Sequence, residues 1–280
     1  MNKHFNTNII FFIIFFIIFL DFPVSAYVLK GPHLLEMMTQ KMGKAKKLLV
    51  FQELRFYGGT QKESPVIIKE TLRYHCPDKF RSDAISSNRK RIHVLSADKA
   101  LTIIDGKVTA EIEDTFDHYK DIFLFRSRIL LTNRLSLSGV DVSTSSLGRF
   151  QDKTAYVIGA QYPDESKPQV WIDKKTFIPL RWIIECDKKE PDKSLEVRYL
   201  KWQMFGKVIY PMHMEFYQNG VLVRELNVEK IVINPPLEDK LFNIDEIKSA
   251  FISVEHDIIN RSDELTDVQK TIEEFNKIYK

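Results

Sequence analysis

Two hydrophobic periods alternate along this chain, and their order predicts its architecture. In Leu48–Tyr57 the even positions Leu48, Val50, Leu54 and Phe56 are apolar, interrupted by Gln52, while Glu53 and Arg55 occupy odd positions. Val66–Cys76 repeats the pattern, with Val66, Ile68, Leu72 and Tyr74 on one face and Lys69, Thr71, Arg73 and His75 on the other. A period of two sustained over such lengths predicts a sheet with one dry and one wet face. Phe80–Ser86, Lys90–Ser96 and Ala100–Ile104 read as shorter strands, closed by an Asp105-Gly106 turn.

The period then changes. Between Thr115 and Leu137, Phe116, Tyr119, Ile122, Phe123, Ile129 and Leu130 recur at helical spacings, predicting a helix or a broken pair of helices. So apolar a segment needs a surface to lie against. Strands return in Arg149–Ala160, Pro168–Asp173, Phe177–Cys186, Ser194–Phe205, Val208–Gln218 and Val221–Ile233, with Asn219-Gly220 as a hairpin turn. Asn234-Pro235-Pro236 ends the sheet, because proline cannot donate to a ladder. Two helices flank the strands: Pro32–Met42, with Leu34, Leu35, Met38 and Met42 on one side, and a tail from Ser262 carrying Leu265, Val268, Ile272 and Phe275. Sequence-adjacent strands with tight turns predict an antiparallel, strongly curved sheet. The helical segment at Thr115–Leu137 would then plug it over an apolar cavity.

The first residues place this sheet in a compartment. Lys3 and His4 precede the apolar run Ile9–Leu20, and Pro23-Val24-Ser25-Ala26 follows. This is the pattern of a secretory signal peptide cut after Ala26. The run of about twelve residues falls short of the roughly twenty a membrane span needs. The expected organisation is a signal peptide over 1–26, one β-domain over 27–245 and a helical tail over 246–280. The net charge is +3, and removing Lys3 and Asp21 with the signal leaves it unchanged. Basic residues are dispersed, so no nucleic-acid partner is expected. Cys76 and Cys186 are the only cysteines. An exported chain can pair them, or leave two separate thiols.

Catalytic spacing is missing. The chain has no G-x-S-x-G, H-E-x-x-H, Walker or G-x-G-x-x-G signature, and its histidines are scattered. His75 and Cys76 are adjacent, but strand neighbours point to opposite faces. No catalytic residue, metal ligand or cofactor is therefore assigned. Large apolar side chains fill the second half instead, among them Trp171, Trp182, Trp202, Tyr210, Met212, Met214 and Phe216. Flexible methionines suit a surface that adapts to acyl chains.

Several local patterns then align with one family. Leu72-Arg73-Tyr74 followed by Pro77-Asp78-Lys79-Phe80-Arg81, and Asp105-Gly106-Lys107 downstream, belong to its first half. Leu147-Gly148-Arg149-Phe150 with Ala155-Tyr156-Val157-Ile158-Gly159 opens the second half. Trp171-Ile172-Asp173-Lys174 through Pro179-Leu180-Arg181 is the most specific piece, and Asn234, Leu237 and Leu241-Phe242 close the pattern. Over Gly31–Ile244 the chain resembles the LolA-like periplasmic carriers, more closely the outer membrane lipoprotein-sorting proteins. The resemblance implies an unclosed antiparallel β-barrel of about eleven strands, lidded by helices over an apolar cavity. It also implies a periplasmic carrier of lipoprotein acyl chains or related lipids, with an inner-membrane export complex as donor and an outer-membrane acceptor. The expected lining is Val50, Leu54, Phe56, Ile68, Leu72 and Tyr74 from the first strands, and Trp182, Met212, Met214 and Phe216 from the second half. The alternative is an envelope sensor or structural protein of the same fold, with a filled core, that works through its surface.

Overall fold

The computed structural model describes residues 28–57, 65–86, 89–186 and 194–253. The first segment and the tail from Ser262, with their predicted signal and helix, lie outside these residues. The rest forms a mainly antiparallel sheet, not closed into a barrel, with few helices, as the patterning predicts. Six strands run as one meander: β1 (Lys47–Phe56), β2 (Val66–His75), β3 (Lys79–Ile85), β4 (Lys90–Ser96), β5 (Lys99–Ile104) and β6 (Lys107–Ala110). Seven form a second: β7 (Ser145–Phe150), β8 (Lys153–Ile158), β9 (Gln169–Asp173), β10 (Pro179–Cys186), β11 (Ser194–Phe205), β12 (Val208–Gln218) and β13 (Val221–Ile233). Pairing of β1 with β13 joins the meanders, while β14 (Ile252–Ser253) adds a short parallel edge beside β6.

The sheet thus has fourteen strands, against the eleven that the family resemblance implies. One difference lies at Arg149–Ala160, read above as a single strand. It spans the end of β7, a tight turn and β8, and the turn residues Gln151 and Asp152 both take positive φ, 47° and 63°. Asn-Gly announces such a turn, as at Asn219-Gly220 (φ 54° and 75°), but Gln-Asp does not. A second difference is β6, which pairs back across the predicted Asp105-Gly106 turn.

Between the meanders the chain crosses the inner face. Residues Thr115–Lys120 form a 3-10 helix, followed by α2 (Asp121–Leu124) and α3 (Arg128–Leu137). This broken plug starts from β6, beside the edge that β14 covers, and arrives at the opposite edge, β7. Asp114 and Ser127 cap its pieces by accepting from the backbone N–H groups of Phe116 and Leu130. The predicted helix α1 (Gly31–Met42) packs Leu34, Leu35, Met38 and Met42 into the core and lies against α3 and β12. It ends at Gly43, whose φ of +83° and approach to the Lys207 carbonyl leave no room for a side chain.

The periodic reading of α3 needs correction. Leu131 and Leu135 are its buried residues, whereas Ile129 is 64% exposed and Leu137 83%. The break at Phe125–Ser127 shifts the helical phase, so a single period carried through it selects the wrong face. On the outer face, Ile92, Val94, Leu101, Ile103 and Val108 meet Ile244, Ile247 and Phe251 of α4 (Ile244–Ser249) and the segment after it. Ala155, Val157, Trp171 and Leu180 form a second outer cluster. Among the described residues no helix is long and apolar enough to cross a membrane.

Candidate functional site

The site that the topology constructs is the inner face beneath the plug. Register brings the expected lining residues together there. Val50 stands opposite Leu72, Leu54 lies between Ile68 and Leu226, and Met214 and Phe216 face Leu226 and Arg224 across β12–β13. Val50, Leu54, Phe56, Ile68, Leu72, Tyr74, Trp182, Met214 and Phe216 are all buried in the main core cluster, and Met212 is partly buried against it. Plug residues Phe116, Tyr119, Ile122, Phe123 and Leu124 belong to the same cluster. The space over the sheet therefore contains protein side chains.

Ring contacts dominate one side of this interface. Phe123 packs on Tyr210 at 4.6 Å between centroids and edge-on to Tyr199 at 5.7 Å, while Phe116 stacks on Phe216 at 6.0 Å. Tyr119 meets Phe216 edge to face at 5.5 Å. The Tyr199 hydroxyl donates to the Tyr119 carbonyl at 3.3 Å, and the Tyr74 and Tyr210 hydroxyls bond to each other at 3.1 Å. Arg224, 1% exposed, places its guanidinium near the Phe56, Phe216, Tyr119 and Phe116 rings. Burying each large apolar plug residue contributes about 1.5–3 kcal/mol, and well-oriented ring pairs add roughly 0.5–1.5 kcal/mol. Among the described residues, the buried indole N–H of Trp182 has no acceptor.

The other side is polar. A row across β1–β5 comprises Gln52, which donates to Glu70 at 2.6 Å, Ser82, which also bonds Glu70, and His93, bonded to Thr102 at 3.0 Å. Charged plug residues lock onto it. Arg91 Nη2 donates to Asp117 at 2.5 Å, and His93 Nε2 lies 3.8 Å from Asp117 and 3.9 Å from Glu113. Lys120, fully buried, pairs with Glu113, donates to the Asp117 carbonyl at 2.9 Å and lies 3.5 Å from Asp121. Arg134 of α3 donates to Asp121 at 2.6 Å and also pairs with Glu113. Arg91, Lys120 and Arg134 thus balance Glu113, Asp117 and Asp121.

This closure sets the protonation states. Burial works to raise the Glu113 carboxyl, but the charge of Lys120, the nearby His93 imidazole and the charge of Arg134 hold it well below the usual carboxylate range. Asp117 behaves alike: burial raises it, and Arg91 leads the groups that bring it down. Burial lowers the His118 imidazole against the opposing charge of Asp121, and its buried Nδ1 has no hydrogen-bond partner among the described residues. Burial likewise raises the hydroxyls of Tyr74, Tyr119 and Tyr199 far above their ordinary value. They stay neutral, and Tyr199 donates as a neutral hydroxyl.

Sequence reasoning missed the polar side. Its trace is β4, where both alternating sets are buried: Ile92 and Val94 outward, Arg91 and His93 inward. His75 and Cys76 point apart as expected; His75 packs toward Phe242, and the Cys76 Sγ lies 3.8 Å from the Phe123 carbonyl. Cys76 is a free thiol, and the Cys186 side chain lies outside the described residues.

No protein-family model and no curated protein matches the chain. Its fold is nevertheless shared with solved structures. A LolA superfamily protein from Nitrosomonas europaea superposes with a TM-score of 0.55 over 78% of this chain and 100% of its own, at 12% identity. An outer membrane lipoprotein-sorting protein domain from Vibrio parahaemolyticus gives 0.51 over 78% of this chain and 98% of its own, at 14% identity. A DUF1329 family protein from Desulfovibrio piger also gives 0.51, over 78% and 97%, at 12% identity. The chain therefore has the LolA-like fold.

Proposed function

We propose that this protein is an exported carrier that receives the acyl chains of a lipoprotein, or of a related lipid, on the inner face when the plug swings away. The observation that supports it best is the plug itself: a contiguous apolar surface is covered by a short segment joined covalently to the sheet only at its two ends, as a removable lid requires. The similarity of fold to a lipoprotein-sorting domain points the same way, and the signal-peptide pattern of 1–26 fits a periplasmic site of action. No covalent step is needed. Each methylene brought out of water contributes about 0.8 kcal/mol, so one chain rewards the exposure of the inner face. Val50, Leu54, Phe56, Ile68, Leu72, Tyr74, Met212, Met214 and Phe216 form the lining in this reading. Trp182 adds an unpaired N–H to meet an acyl carbonyl. Release follows when the plug refills the space or an acceptor binds the cargo more tightly.

One observation favours a second reading. Lys120 and Asp121 are fully buried in an ion network, and a plug fixed so firmly suits a sensor or structural protein that acts through its surface. Native mass spectrometry of protein from an envelope extract, with lipid extraction and uptake of a fluorescent fatty acid, separates the two. The carrier yields co-purifying lipid or lipoprotein and takes up the probe. Absence of both results rules the carrier out.

A further inference from the structure

The outer face of β12 and β13, opposite the plug, carries an arrangement that lipid carriage does not use. Glu215 and Glu225 stand directly opposite each other in the ladder, and His213 is opposite Asn227 two pairs along, on the same face. Like charges in a directly opposed pair destabilise a sheet. Among the described residues neither glutamate has a lysine or arginine within ion-pair distance: nearby Arg55 pairs with Glu53 at 2.7 Å and Arg198 with Glu196 at 2.5 Å. Yet the two carboxylates converge. Oε1 of Glu215 lies 3.2 Å from His213 Nε2, and Oε1 of Glu225 lies 3.6 Å from the same nitrogen. The three ligand atoms fall within 4.8 Å of one another.

The groups behind them complete the picture. His213 is 8% exposed, and its Nδ1 lies 2.8 Å from Asn227 Oδ1, a bond that Nδ1–H donates. Nε2 bonds the Glu215 oxygen when it carries a proton; in the tautomer protonated at Nδ1 alone it turns a lone pair toward both carboxylate oxygens, the form a metal ion requires. The second oxygen of each carboxylate is held by a tyrosine: Tyr217 donates to Glu215 Oε2 at 3.0 Å, and Tyr57 donates to Glu225 Oε2. The free oxygens are thereby aimed inward. A carbonyl behind the imidazole and a donor behind each carboxylate are what metal ligands have in their outer shell.

We propose that His213, Glu215 and Glu225 bind a divalent cation of the zinc class, leaving a fourth position to water. Zinc–nitrogen and zinc–oxygen bonds of about 2.0–2.2 Å place tetrahedral ligand atoms roughly 3.3–3.5 Å apart, close to the separations around Nε2. An imidazole in the set favours zinc, cobalt or nickel over calcium or magnesium. The cation would bridge β12 to β13 at the like-charged pair.

The test uses the purified, untagged protein after treatment with EDTA. Titration with Zn2+ in a calorimeter should show one equivalent bound, and Co2+ should give the visible band of a low-symmetry N/O site. His213→Ala should weaken Zn2+ binding at least about 100-fold and Tyr217→Phe about 10-fold, the effect of losing one outer-shell bond. His33→Ala, on α1, should change nothing. Zn2+ should raise the melting temperature of the wild type but not that of Glu225→Gln. Without metal, Glu225→Gln should melt at or above the wild type, because it removes a like-charge pair; this also confirms that the variant folds. Less than one equivalent, binding unchanged in His213→Ala, or a metal-free Glu225→Gln that melts below the wild type would overturn the proposal. The last outcome identifies a protonated His213 as the group neutralising both glutamates.

Discussion

The plug rests on two kinds of ground, and they fail differently. On the ring side, removing Phe123 leaves a hole against Tyr199 and Tyr210, with no charge stranded. On the polar side, removing Lys120 leaves the buried Glu113 and Asp121 with Arg134 as their one shared cation. Rings supply most of the net attraction, because apolar burial is a clear gain. Buried ions gain little overall, since desolvation offsets their attraction, but losing one member is expensive. The rings therefore hold the plug, and the ions decide where it sits.

The largest expected effect breaks the polar side. Lys120→Met should destabilise the protein by about 3–5 kcal/mol in urea denaturation. Adding Glu113→Gln should recover part of that loss, a coupling of at least ~1 kcal/mol across the cycle. If the double variant is worse than the sum of the singles, the charges were not the problem. On the ring side, Phe123→Ala should cost about 3 kcal/mol while leaving the ion network intact. Its cavity should take up a fluorescent fatty acid faster than the wild type if the carrier reading holds.

The effect of pH follows from the sign of each shift. Glu113 and Asp117 are depressed in the fold, so their contribution is complete above about pH 5 and drains away as pH falls below the ordinary carboxylate values. His118 is also lowered, but it is a base: the unfolded chain takes up its proton first, near its ordinary value of 6.5. Stability measured against pH should therefore show a shallow loss beginning below about 6.5 and a steep one below about 4. His118→Gln should shrink only the shallow step, the rest of which comes from His75, also lowered by burial. Smaller again, Tyr210→Phe removes the bond to Tyr74 and should cost about 1 kcal/mol. Ile129→Ser, on the exposed side of α3, should stay within about 0.5 kcal/mol.

The difference between the two grounds also explains what the sequence could convey. Period-two alternation in β1 and β2 marks Val50, Leu54, Leu72 and Tyr74 as inward before any pairing is known, because one face of the strand is wet. The ring side is therefore legible. In β4 both faces are buried, so alternation no longer distinguishes inside from outside, and Arg91 and His93 read as solvent-facing. Lys120 and Asp121 are adjacent charges in a helical segment and look like a hydrated turn. Only the crossing from β6 to β7 brings them over the sheet. The Gln151-Asp152 turn and the phase break before α3 were hidden for a local reason: their residues do not advertise the backbone they adopt.

That crossing also sets the thermodynamics of occupancy. Because both ends of the plug continue into the sheet, it is a tethered competitor that cannot diffuse away. Short tethers of this kind give effective concentrations on the order of millimolar. Any molecule that takes its place has its affinity reduced by the fraction of time the inner face stands open. The same tether returns the plug to the space once the visitor's hold weakens. In the carrier reading, lengthening the Phe125–Ser127 joint would thus tune how tightly the protein binds without altering a single residue of the inner face.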